Sequence, residues 1–219
     1  MIEPPVAPAA GRTGILGGTF DPVHLGHLAV AEEVREALGL ETVLFVPAGA
    51  PPHKLGAAIS DARHRVAMVE LAIADNPAFR LSRAEVERPG PSWTVVTLAT
   101  LAGEATAAGR SFDPWLILSV EALLGLETWR EPGHVLGLCR LAVVPRAGTP
   151  EDGRAWLGAR FPEAAARAAF LERPRLRVSG TEIRARVAAG RSIRYLVPAA
   201  VEAYIREHAL YRFPDPPVP

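Results

Sequence analysis

The sequence GGTFDPVHLGH, residues 17–27, decides how this chain of 219 residues folds. It follows an apolar run, residues 13–16, that is typical of a short buried strand. It precedes residues 28–40, whose apolar side chains recur at helical spacing. The chain is therefore predicted to run from a strand through a glycine turn into a helix. Glycine permits such a turn and lets the backbone come close to a ligand.

Two histidines, His24 and His27, lie where this helix is predicted to begin. A helix N-terminus offers unpaired N–H groups and a partial positive charge, both of which favour phosphate. Histidines three residues apart can share one face of the first turn and donate hydrogen bonds to phosphate oxygens. The segment therefore predicts a nucleoside triphosphate site. A purely structural pair and a zinc site are the alternatives, although two histidines and a single cysteine make a poor zinc cluster.

Composition narrows the class of protein. The 24 basic and 24 acidic residues balance, so no nucleic-acid partner is indicated, and the apolar runs fall short of a membrane span. Cys139 is the single cysteine, which fits a protein of the reducing cytoplasm. It lies in an apolar stretch, which favours a position in the core. Residues 1–11 are rich in Pro and Ala, lack a signal-peptide pattern, and are expected to form a flexible leader.

Lys54 is the only lysine among the basic residues. It ends the sequence PPHK, residues 51–54, which follows a strand predicted over residues 42–46. A compact ammonium is a point-charge partner for phosphate, whereas a guanidinium is wider and planar. We therefore predict that Lys54 binds phosphate, the alternative being a lysine retained by chance.

Strand-like runs alternate with helical patterns along the chain, which predicts an α/β fold with a doubly wound, mostly parallel sheet. Strands are predicted over residues 13–16, 42–46, 79–81, 115–118, 141–144 and 176–178, with a further strand-like run at 85–88. Helices are predicted near residues 28–38, 61–75, 94–108, 123–129, 150–159 and 182–188, with Ser92 as an N-cap and residues 148–173 as a helical excursion. Ligands of such sheets bind beyond the carboxyl ends of the strands.

The sequence VSGTEIR, residues 178–184, is predicted to open the last of these helices. Ser179 or Thr181 could cap that helix, and Arg184 adds a cation. A second helix N-terminus with hydroxyls and an arginine would also suit the far end of a triphosphate, and the two interpretations are compatible.

Several of these segments resemble one family. Residues 17–27 resemble the (G/S)(T/G)FDPxHxGH block of the HxGH nucleotidyltransferases, and residues 178–184 resemble the (I/V)S(S/G)TxIR block of that superfamily. The segments PPHK, GPSWT (90–94), LETW (126–129) and GRSIRYLVP (190–198) resemble bacterial nicotinate-nucleotide adenylyltransferases. The resemblance implies a Rossmann-like domain over residues 12–178 and a small C-terminal helical part over 179–212 that completes the ATP site. The Pro-rich residues 213–219 are expected to form a loose tail.

The resemblance also implies an activity, the in-line transfer of an adenylyl group from ATP to nicotinate mononucleotide, with Mg²⁺ arriving on ATP. It assigns the catalytic positions to His24, His27, Lys54 and Arg184. It assigns ATP binding to Gly17, Gly18, Thr19, Phe20, Ser179 and Thr181. It assigns mononucleotide binding to Thr94, Trp129, Ser119 and Glu121, with the indole stacking on the pyridine ring.

This chain departs from the family pattern at a few positions. Ser119 and Glu121 stand where the family reads Gly-x-Asp, and Val96 replaces a common acidic residue, all expected on the nicotinate side. Gly180 replaces a frequent Ser and is expected to cost one hydroxyl contact. Asp21 is predicted to shape the turn, with an outer-ligand role toward Mg²⁺ as the alternative.

Two other functions stay open on the sequence alone. A pantetheine-phosphate adenylyltransferase uses similar ATP motifs, although PPHK, GPSWT and SIRYLVP argue against it. A nucleotide-binding regulator without turnover would account for the altered residues 119–121. The sequence leaves a homo-oligomer open as well.

Overall fold

The computed structural model describes residues 7–51, 59–145 and 153–212. These residues form six strands: Ala9–Gly18 (β1), Leu40–Pro47 (β2), Phe79–Leu81 (β3), Asp113–Ser119 (β4), Arg140–Val144 (β5) and Ala169–Phe170 (β6). All pairings are parallel, in the order β3-β2-β1-β4-β5-β6. This is the strand order of a Rossmann-like doubly wound sheet, so the predicted fold class is confirmed.

Helices cover both faces of the sheet. They are Leu25–Leu38 (α1), Ala62–Ile73 (α2), Thr94–Ala107 (α3), Val120–Leu124 (α4), Pro132–Leu138 (α5), Gly153–Arg160 (α6), Pro162–Ala165 (α7), Gly180–Ala188 (α8) and Ala199–Glu207 (α9), with a 3₁₀ turn at Leu126–Thr128. Helices α1, α2, α8 and α9 bury apolar residues on one face, and α3 to α7 bury theirs on the other. The described residues include no helix long and apolar enough to cross a membrane.

The central strands are apolar at consecutive positions because both of their faces are covered. Ile15 packs into one apolar cluster while the next residue, Leu16, packs into the other. Leu116 and Ile117 of β4 divide in the same way. Successive side chains of a strand point to opposite faces, so each central strand contributes to both cores. This double burial makes the short apolar runs reliable strand signals.

Predictions for the strands at the periphery are wrong in three places. Residues 176–178 have no regular secondary structure, and the sixth strand is instead β6, from the segment predicted to be helical. β6 pairs with β5 over two residues only, which is too short for a periodic pattern to appear. Residues 85–88 form a turn and a bend instead of a strand.

The leader and the C-terminal part of the chain differ in part from what the sequence predicts. β1 begins at Ala9, so the sheet takes in residues that were expected to belong to the leader. The C-terminal helices share the main core, since Ile183 and Ile205 are buried in the same cluster as Leu16. Residues 1–6 and the predicted tail at 213–219 lie outside the described residues.

Cys139 follows α5 directly and is buried, which confirms its predicted core position. Its thiol donates a hydrogen bond to the carbonyl oxygen of Val135 at 3.3 Å. Burial raises the pKa of Cys139 to about 12. The side chain therefore stays a neutral thiol near pH 7 and offers no nucleophile.

Candidate active site

A cleft of about 640 Å³ opens at the carboxyl ends of β1 and β4. These strands are neighbours in the sheet, but the chain leaves β1 toward β2 on one side and returns through β4 on the other. The strand order therefore reverses between them, and ligands of doubly wound sheets bind at such a switch point.

The structure brings most of the predicted site residues to this cleft. Those that line it are Gly17, Gly18, Thr19, Phe20, Asp21, His24, His27, Thr94, Ser119, Trp129, Ser179, Thr181 and Arg184. Glu121 is exposed in the first turn of α4 and does not line the cleft. Val96 packs against an apolar cluster, so its departure from the family pattern falls outside the cleft lining. Lys54 lies outside the described residues.

The two histidines lie against each other at the start of α1. His24 is the N-cap residue, and the two imidazole rings stack with centroids 3.6 Å apart. The backbone N–H of His24 donates to Nδ1 of His27 at 3.2 Å. Because Nδ1 accepts this hydrogen bond, a neutral His27 carries its ring hydrogen on Nε2. A side chain at Gly26 would meet Nδ1 of His24 at 3.0 Å, which explains the glycine between the histidines.

The N-terminus of α1 offers fewer backbone donors than the sequence predicts. The N–H of Leu25, the first residue of α1, donates to the carbonyl oxygen of Leu196 at 3.0 Å. The N–H of His27 donates back to the carbonyl oxygen of His24 at 2.9 Å. The SIRYLVP segment thus covers part of the helix end, and these two N–H groups are engaged within the protein.

The backbone of the glycine turn has two features of a ligand-binding loop. An ideal Cβ at Gly17 would meet no atom within 4 Å, so protein contacts do not require glycine there and the space belongs to the cleft. Phe20 has φ 49° and is 2% exposed, and its ring meets that of His27 edge-on at 4.9 Å. A bulky residue in the left-handed region is rare, and such strain is found at functional sites.

Arg65 of α2 holds this turn through hydrogen bonds to backbone carbonyl oxygens. The sequence did not indicate this role. Its guanidinium donates to the carbonyl oxygen of Thr19 at 2.8 Å and to that of Ser60 at 2.9 Å. The side chain is only 2% exposed and does not line the cleft. Burial lowers the pKa of Arg65, and the negative charge of Asp21 opposes that shift.

Asp21 connects the turn to distant parts of the chain. Its carboxylate accepts hydrogen bonds from the hydroxyl of Tyr211 at 2.7 Å and from the backbone N–H of Ser60 at 3.2 Å. Its carbonyl oxygen accepts from Nη1 of Arg184 at 2.6 Å. Burial, followed by the Asp21 charge, raises the pKa of Tyr211, which keeps the hydroxyl a donor. Both carboxylate oxygens thus meet protein donors, as expected of a residue that shapes the turn.

The start of α8 faces the same turn. Ser179 is the N-cap, because its hydroxyl accepts from the N–H of Glu182 at 3.1 Å, whereas Thr181 lies inside the helix and accepts from Nη2 of Arg184 at 3.4 Å. A Cβ at Gly180 would meet the carbonyl oxygen of Asp21 at 2.9 Å. Gly180 therefore allows α8 to approach the backbone of Asp21 closely. The sequence predicted only the loss of one hydroxyl contact at this position.

Trp93, Thr94 and Trp129 line another part of the cleft, together with Arg130. Ser119 lines it too, and its hydroxyl accepts from the N–H of Ala122 at 3.3 Å as the N-cap of α4. The two tryptophans give that part of the cleft flat aromatic surfaces.

Glu85 is a cleft residue that the sequence did not indicate. It is buried at 8% exposure, and Oε1 accepts from the hydroxyl of Thr97 at 2.7 Å. A lone acidic residue in a turn carries no pattern that could have identified it. Its carboxylate nevertheless places a negative charge in the wall of the cleft.

Ser92 does not cap α3, where Trp93 is the N-cap residue. Its hydroxyl instead accepts from the backbone N–H groups of Gly49 and Ala50 at 2.9 and 3.2 Å. A Cβ at Gly49 would meet the carbonyl oxygen of Glu85 at 2.3 Å. The end of β2 and the segment before α3 are thus joined by contacts that only glycine permits.

We expect Gly49→Ala to destabilise the fold by about 2 kcal/mol, since the two segments must separate to admit the methyl group. The midpoint of urea unfolding measures the change. Gly103→Ala is the matched control, because a Cβ there meets nothing within 4 Å and alanine favours a helix interior. An unchanged midpoint for Gly49→Ala would contradict the close approach.

Across the described ranges, no three His, Cys, Asp or Glu side chains are grouped so that they could hold a metal ion. The zinc alternative for the histidine pair therefore gains no support. The donors of the cleft are instead imidazole, guanidinium, hydroxyl and backbone groups, which suit phosphate oxygens.

Comparisons with known proteins agree with this geometry. The sequence model of the family described as cytidylyltransferase-like matches residues 15–186. The probable nicotinate-nucleotide adenylyltransferase of Roseiflexus sp. (strain RS-1) is 50% identical over 199 residues, covering 91% of this chain and 97% of that protein. The protein of the same description from Thermomicrobium roseum is 45% identical over 201 residues, 92% of each chain.

A solved structure has the same fold. The nicotinic acid mononucleotide adenylyltransferase of Plasmodium falciparum, complexed with NaAD, superposes with a TM-score of 0.72 over 91% of this chain and 96% of that one. The sequences are 17% identical, so this likeness speaks for the fold alone.

Proposed function

Because this chain belongs to the cytidylyltransferase-like family, and within it to the nicotinate-nucleotide adenylyltransferases, we propose that it transfers the adenylyl group of ATP to nicotinate mononucleotide. The products are deamido-NAD and pyrophosphate. One observation carries the proposal: a single cleft joins a histidine turn suited to phosphates with a tryptophan-lined part suited to a flat heterocycle.

The reaction is a direct displacement at the α-phosphorus of ATP. A phosphate oxygen of the mononucleotide forms the new P–O bond, and the bond to the pyrophosphate oxygen breaks in line. Catalysis is positioning together with stabilisation of negative charge in the transition state. The buried neutral thiol of Cys139 supports a mechanism without a covalent intermediate.

The histidine turn serves the transferring group. Nε2–H of His27 donates to an oxygen of the α-phosphate, and His24 supports the stacked ring from the N-cap position. The Thr19 hydroxyl and the backbone beside it orient the same phosphate. Arg184 faces the turn from α8 and neutralises the departing pyrophosphate, a role it shares with Lys54.

Mg²⁺ enters this reaction as MgATP, a part of the substrate. The described residues offer no cluster of ligands for a resident ion, and both oxygens of the Asp21 carboxylate accept from protein donors. Mg²⁺ commonly keeps its waters and binds substrate phosphates, so it needs little from the protein. When bound, it withdraws negative charge from the phosphate oxygens.

Release of pyrophosphate from ATP tests the proposal, with three acceptors compared: nicotinate mononucleotide, nicotinamide mononucleotide and phosphopantetheine. We expect rapid release with nicotinate mononucleotide and a dinucleotide product by mass spectrometry. Release with phosphopantetheine alone would replace the proposal with a pantetheine-phosphate adenylyltransferase. ATP binding without release for any acceptor would indicate a regulator.

A further inference from the structure

Arg130 is a cation at the tryptophan-lined part of the cleft to which the mechanism above gives no role. It follows Trp129 directly and lines the cleft, and its guanidinium carbon lies 5.7 Å from the ring centroid of Trp93. Among the lining residues that the structure describes, the arginines are Arg130 and Arg184, and Arg184 lies at the histidine turn, where the mechanism assigns it to the pyrophosphate. The aromatic part of the cleft therefore has an arginine of its own.

The positive charge of Arg130 matters for the choice between acid and amide substrates, because the cleft also contains an acidic residue. Buried Glu85 places a carboxylate in the wall of the same cleft, with one oxygen bound by Thr97. Nicotinate carries a carboxylate where nicotinamide carries a neutral amide, so the two mononucleotides differ there by one negative charge. Glu85 alone would disfavour the acid, and a cation that lines the same cleft opposes that effect.

We propose that the Arg130 guanidinium, held over Trp93 at the mouth of the cleft, attracts the nicotinate carboxylate and sets the preference for the acid over the amide. This inference rests on the proposed function, and it names Arg130 as the residue that decides between the two mononucleotides. Arg130 is also within 3.3 Å of the Glu131 carboxylate, but both side chains are about half exposed. An exposed ion pair of this kind is weak, so the guanidinium can turn to a substrate carboxylate.

The test compares kcat/KM for nicotinate and nicotinamide mononucleotides in the intact protein. Arg130→Gln keeps polar N–H groups and removes the charge, so the ratio of the two kcat/KM values should fall about tenfold, through the acid only. Arg130→Lys should retain most of the ratio. The ratio of acid to amide kcat/KM should also fall with added salt in the wild type and lose that dependence in Arg130→Gln.

Glu131→Gln is the matched control, because it removes the neighbouring negative charge and leaves Arg130 in place. In Glu131→Gln, the ratio of kcat/KM for the acid to kcat/KM for the amide should equal or exceed the wild-type ratio. An unchanged ratio in Arg130→Gln, or an equal fall with both mononucleotides, overturns the inference alone. A wild-type protein that uses neither mononucleotide overturns the proposed function, and the inference with it.

Discussion

Replacing His27 by alanine is expected to lower kcat by about a thousandfold, because the variant loses a preorganised donor to the charge that develops on the transferring phosphate. Nε2 is the atom concerned, since Nδ1 already accepts the N–H of His24. A donor that acts mainly in the transition state should change kcat far more than the KM for ATP. Steady-state pyrophosphate release with nicotinate mononucleotide measures both constants.

The side chain of His27 also takes part in local structure, so a second variant separates the two roles. His27→Gln keeps an acceptor at the N3 position of α1 and so retains the capping interaction with His24. We expect its thermal unfolding to lie closer to the wild type than that of His27→Ala, while its kcat stays low. His134→Ala, at an exposed histidine of α5, serves as the surface control. Turnover near the wild-type value in His27→Ala would contradict the assigned role.

The centre of this fold was predictable from sequence, and the reason lies in β1 and α1. The apolar run, the glycines and the histidines are contiguous there, so local patterns carry the whole strand–turn–helix unit. The short strand β6 gave no such signal, because two residues cannot display a period. Residues 176–178 show the opposite error, since their apolar pattern resembles a strand but they pair with no strand of the described sheet.

The candidate site was predictable only where its residues belong to a motif. The groups that hold the turn in place come from far along the chain: Arg65 lies 46 residues after Thr19, and Tyr211 lies 190 residues after Asp21. Both occur in ordinary surroundings, one in a helix and one near the C-terminus, and nothing local distinguishes them from surface residues. Contacts of this kind depend on tertiary structure, which single-sequence patterns do not contain.

Replacing Arg65 by methionine is expected to destabilise the protein by about 3 kcal/mol. Methionine fills a similar volume, so the loss comes from polar groups and not from a cavity. The carbonyl oxygens of Thr19 and Ser60 would lose their buried donor, and the Asp21 carboxylate would lose a nearby positive charge. Urea unfolding measures the change. Arg63→Met is the matched control on the same helix, because Arg63 is exposed and forms a surface ion pair with Asp61.

The same variant should lower turnover as well, because Arg65 fixes a peptide group of the catalytic turn. In a trans peptide the carbonyl oxygen and the following N–H point in opposite directions. Arg65 donates to the Thr19 carbonyl oxygen and so fixes the plane of this peptide, and with it the direction of the N–H of the cleft residue Phe20. Loss of this constraint should reduce kcat by about a hundredfold at temperatures where the variant is fully folded.

Measuring kcat on folded protein separates a positioning residue from one that only stabilises the fold. If Arg65 contributed stability alone, the folded fraction of Arg65→Met would turn over at the wild-type rate. Arg65→Lys restores the charge and one donor, so it should recover part of the stability and part of kcat together. Wild-type kcat in folded Arg65→Met would show that the turn keeps its shape without the guanidinium. In that case the left-handed backbone conformation of Phe20 would have to be maintained by the hydrogen bonds of Asp21 with Tyr211 and Arg184.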